Sequence, residues 1–190
     1  MSETNNMVVL LHGKPSTGKL TVAKRIEKHI NENCGGGKKC YVFDNHFFND
    51  IVFPYVNITP NLGKICKNVY KIRSVFLDTL SECSNYKNTV LVFTNVLLNS
   101  PDDEESVKEL AEFAKKISAK FVPIELCAAP GSILGWTENK DRQLKHKLTD
   151  PEQMANFINN TKFLEIENSH QVINDTDLDK VCNDIISIIF

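Results

Sequence analysis

The chain has 190 residues, 42% hydrophobic and 24% charged, with 22 Lys and Arg against 24 Asp and Glu and a formal net charge of -2. A chain of this size buries roughly 70% of its extended surface, enough for a core without disulfide or metal staples, so collagen-like, disordered and mini-protein classes drop out. The near-neutral balance supplies no basic field for a nucleic-acid backbone, and no nucleic-acid partner is expected.

Met1 to Asn6 is polar and lacks the basic-then-apolar pattern of a targeting peptide, and no stretch approaches the roughly 18 apolar residues of a membrane span. The expectation is a soluble, cytoplasmic protein without a membrane partner, as monomer or homodimer. Met7 to His12 reads as an apolar strand that ends in a Gly-rich turn. Leu20 to Asn33 follows with apolar residues at Leu20, Ala23, Ile26 and Ile30, the spacing of a helix. Gly35, Gly36 and Gly37 end that helix, and Cys40 to Phe43 resumes as a second strand.

From Asn61 to Ser84 the residues Leu62, Ile65, Val69, Ile72, Val75, Phe76, Leu80 and Cys83 mark one face of a long helix. Thr89 to Phe93 is a third strand, apolar throughout and so covered on both sides. The Pro101 to Glu105 segment opens the next helix, which continues from Val107 to Ile117. Its carboxylates complement the positive end of the helix dipole and read as a solvated first turn. Phe121 to Leu126 is the fourth strand, with Pro123 arguing against a central place.

Pro130 to Pro151 reads as a short helix and a Lys-rich polar segment, and Asn156 to Ser169 as a second polar stretch. Val172 and Ile173 belong to a fifth strand, and Leu178 to Ile189 is a closing helix with an apolar face. Alternating strand and helix predict one α/β domain over residues 1–190, a parallel sheet with helices on both faces. Cys34, Cys40, Cys66, Cys83, Cys127 and Cys182 form no C-x-x-C pair and read as buried thiols of a reducing compartment.

The turn after the first strand, Gly13-Lys14-Pro15-Ser16-Thr17-Gly18-Lys19, matches the phosphate loop G-x-x-x-x-G-K. Its spacing lets successive backbone N–H groups curl around a phosphate, while the Lys reaches the β- and γ-phosphates from a helix N-terminus. Such a pattern arises by chance in about one chain in twenty. Here it stands between an apolar strand and an amphipathic helix, the context the motif requires. The next residue is Leu20, where the motif wants a Ser or Thr for Mg²⁺. Thr21 comes one place later, rotated by about 100°, and replaces that metal ligand only in an altered loop.

Further candidates stand at strand ends and on the polar segments. Asp44 ends the second strand and is a candidate to hold a Mg²⁺-bound water or to accept the proton of a substrate hydroxyl, with a loop cap as the alternative. His46 and Asn95 are candidates to position an acceptor, or are turn residues. Only Arg25, Arg73 and Arg142 offer a guanidinium. Arg73 on the long helix is either a partner for an anionic substrate group or a surface charge. Arg142, in a cationic stretch, suits a lid that closes over a transferring phosphoryl group.

These motifs resemble P-loop kinase-like proteins related to shikimate kinase and the nucleoside monophosphate kinases. The likeness is to members with a Gly-Lys-Leu-Thr loop, here Gly18 to Thr21, an Asn-His pair, here Asn45-His46, and a Lys-Leu-Thr-Asp stretch, here Lys147 to Asp150; it runs from about Val8 to Ile186. The resemblance implies a three-layer α/β/α fold with a five-stranded parallel sheet in the order 2-3-1-4-5 and a lid over about 136–150. It implies ATP or GTP as donor and makes Leu20 a family variant. Where relatives carry an Arg shortly before the lid Arg, this chain has Trp136, which either stacks on the base or packs internally. Asp175 and Thr176 look like the segment bordering the base.

The function so implied is phosphoryl transfer to a small molecule. The loop residues Gly13 to Thr21 hold the donor, Lys19, Asp44 and Arg142 act on the transfer, Mg²⁺ is held at Asp44 or Thr21, and the acceptor lies between His46, Arg73 and Asn95. The alternative is a nucleotide-binding sensor without transfer activity, motivated by Leu20 and Trp136.

Overall fold

The computed structural model describes residues 5–84, 86–137, 148–174 and 177–190. Five parallel strands, β1 (Asn6–His12), β2 (Lys39–Asp44), β3 (Thr89–Thr94), β4 (Ala119–Cys127) and β5 (His170–Ile173), form one sheet in the order β2-β3-β1-β4-β5. The central strand β1 is in register with β3 from Met7 opposite Val90 and with β4 from Asn6 opposite Ala119.

Alternate β1 residues feed two separate cores, because side chains along a strand point to opposite faces. Val9 and Leu11 pack with α1 (Lys19–Asn33) and with the C-terminal helix, Leu178–Ile189. Val8 and Leu10 pack on the other face with α3 (Leu62–Cys83) and α4 (Pro101–Lys116). Both faces are therefore covered, which is why β1 and β3 read as continuous apolar runs rather than alternating ones. The remaining α-helices among the described residues are α2 (His46–Asp50), α5 (Pro130–Thr137) and α6 (Pro151–Asn160), and the C-terminal helix is α7.

Several local expectations are corrected by packing. The segment after β2, to which the sequence reading assigns no element, coils into α2 and two single-turn 3₁₀ helices, Phe53–Tyr55 and Thr59–Asn61. The polar stretch expected from Asn156 instead begins inside α6: the Asp150 carboxylate caps this helix by accepting from the Gln153 N–H at 2.8 Å, and Met154 is its buried anchor. On α3 the buried stripe is Ile65, Val69, Arg73 and Leu77, four residues apart, while Leu62, Val75 and Cys83 are exposed. Among the six free thiols only Cys40 and Cys182 are buried.

Pro123 is tolerated for a geometric reason. β5 pairs with β4 only from Ile124 to Cys127, so at Pro123 the strand has its ladder partner on the β1 side alone and behaves as an edge. The acidic start of α4 also differs from a wholly solvated turn. Asp103 is buried, accepting from the Tyr70 hydroxyl at 2.8 Å and the Leu98 N–H at 2.8 Å, and so ties α3, α4 and the loop after β3 together. Burial and the neighbouring Asp103 carboxylate push the Tyr70 phenol well above its ordinary range.

Ile185 on α7 is fully buried in the core shared with α1. Ile185→Ala is expected to lower unfolding free energy by about 2–5 kcal/mol, read by urea denaturation. A loss below about 1 kcal/mol would contradict this assignment of the core.

Candidate functional site

The loop between β1 and α1 is built by backbone conformations that few residues adopt. Gly13 has φ 137°, and a Cβ there would lie 2.4 Å from the Leu126 carbonyl oxygen of β4. Gly18 caps α1 in the left-handed region, and a Cβ there would lie 2.6 Å from Asn174 Nδ2. Ser16 is also left-handed, at φ 59°. These turns curl the chain back on itself. α1 then begins with no side-chain cap and no acidic residue in its first turn, so its positive end faces the loop.

Lys19 is 9% exposed, and its ammonium lies in that curl. It donates to the carbonyl oxygens of Gly13 at 2.9 Å and Lys14 at 2.6 Å, and to Thr17 Oγ1 at 3.3 Å. Thr17 Oγ1 donates in turn to the Lys14 carbonyl. Thr137 at the end of α5 donates its hydroxyl proton to the Ile133 carbonyl, so the 3.0 Å contact between Ser16 and Thr137 has Ser16 as donor. The loop is thereby tied to α5. Lys14 is exposed, Pro15 and Leu20 are half-buried, and Thr21 is exposed on α1.

The remaining candidates gather at the carboxyl ends of β2 and β3. Asp44 Oδ1 accepts from the Thr94 hydroxyl at 2.9 Å and from the His46 N–H at 3.5 Å. Asn45 and Asn95 extend the sheet by one bond each, to the Thr94 and Leu11 carbonyls. Asn45, Phe48, Arg73, Phe93, Thr94 and Asn95 line a small cleft. Arg73 is 5% exposed rather than a surface charge. It donates to the hydroxyl of Ser106 and, at 3.1 Å, to the Ser106 carbonyl, and among the described residues its Nε has no partner. Burial depresses its pKa, and Glu109 opposes that.

A larger groove of about 520 Å³ lies between α3 and α4, lined by residues such as Lys67, Asp78, Glu105 and Lys116. No residue of the 13–19 loop lines it, so size does not mark the site here. Trp136 is half-buried on α5. Arg142, Asp175 and Thr176, and most of the expected lid, lie outside the described residues.

Sequence reasoning missed two residues that serve this region. Asn174 follows β5 as Asn45 and Asn95 follow their strands, which is the signal that would have found it. His12 precedes the loop, is 3% exposed, and shares a 2.8 Å hydrogen bond between Nε2 and Ser169 Oγ. Burial, with a smaller effect of the Lys19 charge, lowers its pKa from 6.5 to about 4.

No protein-family model and no curated protein matches the chain. Solved structures do. APE1195 is similar with a TM-score of 0.59 and 17% identity over 98% of this chain and 96% of that one. The APS kinase of Mycobacterium tuberculosis, solved with AMPPNP and APS, is similar with a TM-score of 0.58 and 12% identity over 97% of each chain. The shikimate kinase of Bacteroides thetaiotaomicron has a TM-score of 0.51 and 12% identity over 96% of this chain and 98% of that one. The five-stranded sheet in the order 2-3-1-4-5 with flanking helices is the P-loop kinase fold of these neighbours.

His12 gives this region a pH signature. Its folded-state pKa lies below the unfolded value of 6.5, so the unfolded chain takes up the proton first as pH falls. The associated stability is complete above about pH 6.5 and declines until about pH 4, by about 3 kcal/mol in total. His12→Gln is expected to flatten this part of the stability profile, measured as urea unfolding free energies at several pH values. An unchanged slope would contradict the assignment.

Proposed function

We propose that the chain is a small-molecule kinase that uses ATP or GTP as phosphoryl donor. The observation that carries this reading is the Lys19 ammonium held in the curl of Gly13 and Lys14 carbonyls at the uncapped N-terminus of α1. An anion entering the loop meets the α1 amides and exchanges the Lys19 bonds to neutral carbonyls for an ion pair in which both partners are charged. Lys19 then holds the donor's β- and γ-phosphates and offsets charge on the transferring group. Arg142, from the cationic stretch after α5, supplies a second cation in this reading.

Asp44 stands at the carboxyl end of β2, oriented by Thr94 and the His46 N–H, and is the group assigned to receive the acceptor's hydroxyl proton. The alternative role of this carboxylate is to hold Mg²⁺, which is commonly bound by one or two carboxylates together with substrate phosphates. Leu20 offers no oxygen, and the Thr21 hydroxyl lies on an exposed part of α1. Bound there, Mg²⁺ would neutralise phosphate charge. His46, Arg73 and Asn95 bind the acceptor in this reading. The buried guanidinium of Arg73, hydrogen-bonded only to Ser106 among the described residues, favours an acceptor that carries an anionic group. A nucleotide sensor without transfer activity is the second reading, favoured by Leu20.

Isothermal titration of ATP, GTP and ADP with and without Mg²⁺, on wild type and Lys19→Ala, tests both. The kinase reading expects Mg²⁺-dependent binding that Lys19→Ala weakens by at least about tenfold. Lys19-dependent binding indifferent to Mg²⁺ supports the sensor, and wild type that binds no nucleotide overturns both.

A further inference from the structure

Asn174 is the first residue after β5 and is 7% exposed. Its backbone N–H donates to the Cys127 carbonyl at 2.7 Å, which fixes it to the end of β4. Its side chain then reaches sideways into the loop, where Nδ2 donates to the Thr17 carbonyl oxygen at 2.9 Å. A carbonyl oxygen only accepts, so the amide nitrogen must be the atom that faces it.

This contact controls a group on the opposite side of the peptide. The C=O and N–H of a trans peptide point in opposite directions, and the described residues contain no cis bond. Fastening the Thr17 carbonyl outward on Asn174 therefore keeps the Gly18 N–H turned the other way. Gly18 lies directly before Lys19, so that N–H belongs to the turn in which the Lys19 ammonium sits. The contact also explains Gly18 beyond its left-handed φ of 84°, because a Cβ would stand 2.6 Å from Asn174 Nδ2. A Gly and an Asn from opposite ends of the chain thus fit each other at one peptide.

We infer that Asn174 is a positioning residue for anion binding: it fixes the Thr17–Gly18 peptide so that the Gly18 amide is aimed at a bound phosphate before the ligand arrives. The inference rests on the reading of residues 13–19 as a phosphate loop. Without the side-chain amide that peptide is free to rotate, and the loop must order it on binding. A carboxylate cannot substitute, since it would set an acceptor against an acceptor. An apolar side chain of the same size would leave the Thr17 carbonyl buried without this donor.

The test titrates inorganic tripolyphosphate and ATP into wild type, Asn174→Ala and Asn174→Leu. It also follows the Gly18 amide resonance of the wild type during the tripolyphosphate titration. The expected result is a loss of about tenfold in affinity for both ligands in each variant, with the wild-type Gly18 amide proton moving downfield. Equal loss for the two ligands matters, because general loosening of the strand ends near the base would weaken ATP alone. That pattern would overturn the inference. So would variants that bind both ligands within about twofold of wild type. Should both variants fail to fold, a Gly18 amide unmoved by bound tripolyphosphate in the wild type overturns it. Wild type that binds neither ligand means instead that the phosphate-loop reading itself has failed.

Discussion

A buried ammonium at the turn between β1 and α1 is the constraint around which the surrounding structure is arranged. Lys19 places its charge at the same point as the positive end of the α1 dipole, two like-signed sources in one small volume. Carbonyl oxygens turned inward from Gly13 and Lys14 offset that charge, and they turn inward because Gly13, Ser16 and Gly18 take positive φ values. His12, the residue before the loop, is kept neutral by its burial and by the same ammonium. Any ligand that binds the folded loop and not the unfolded chain would stabilise the fold by linkage.

Holding such a loop in place falls to the sheet edge. Three asparagines leave the carboxyl ends of β2, β3 and β5, and the backbone N–H of each donates to a carbonyl near the end of the adjacent strand, Thr94, Leu11 and Cys127. The backbone is thus fastened one residue beyond β2, β3 and β5, and of the three side chains Asn174 is the one that reaches the loop, through Nδ2 on the Thr17 carbonyl. Ligands of open parallel sheets bind at this edge, and the order β2-β3-β1-β4-β5 puts the loop after β1 in its middle. By strand order the ends of β2 and β3 lie on one side of the end of β1 and the ends of β4 and β5 on the other, where Asn174 bonds to the loop.

What could be read from the sequence divides along physical lines. The strands, α1 and the loop were legible because their signals are local: an apolar run covered on both faces, a repeat of three to four residues, and two glycines at fixed spacing. α2 and α6 were not, since both are short, and α6 is anchored by a single buried Met154. Asp103 and Asn174 owe their positions to partners 33 and 157 residues away, Tyr70 and Thr17, and no local pattern encodes such pairings. Arg73 was half legible. Its four-residue spacing from Val69 and Leu77 puts it on the buried stripe of α3, but its charge argued for the surface.

The polar seam between α3 and α4 makes that position informative. Asp103 receives a phenol, a backbone N–H and the Ser100 hydroxyl, so its buried carboxylate is well provided for and acts as a structural tie. Arg73, one turn away on α3, is not paired with it; its described partners are the hydroxyl and carbonyl of Ser106, and its Nε has none. A leucine at this point of the stripe would pack like its neighbours Ile65, Val69 and Leu77. Replacing a buried ion with a hydrophobe of similar volume is often neutral or stabilising by about 1–4 kcal/mol. Stability is therefore a poor account of a guanidinium here. Its place in the wall of the cleft with Asn45, Thr94 and Asn95, with no carboxylate in salt-bridge contact among the described residues and Glu109 and Asp103 acting on it only through their charge, is what the proposed anionic acceptor would account for.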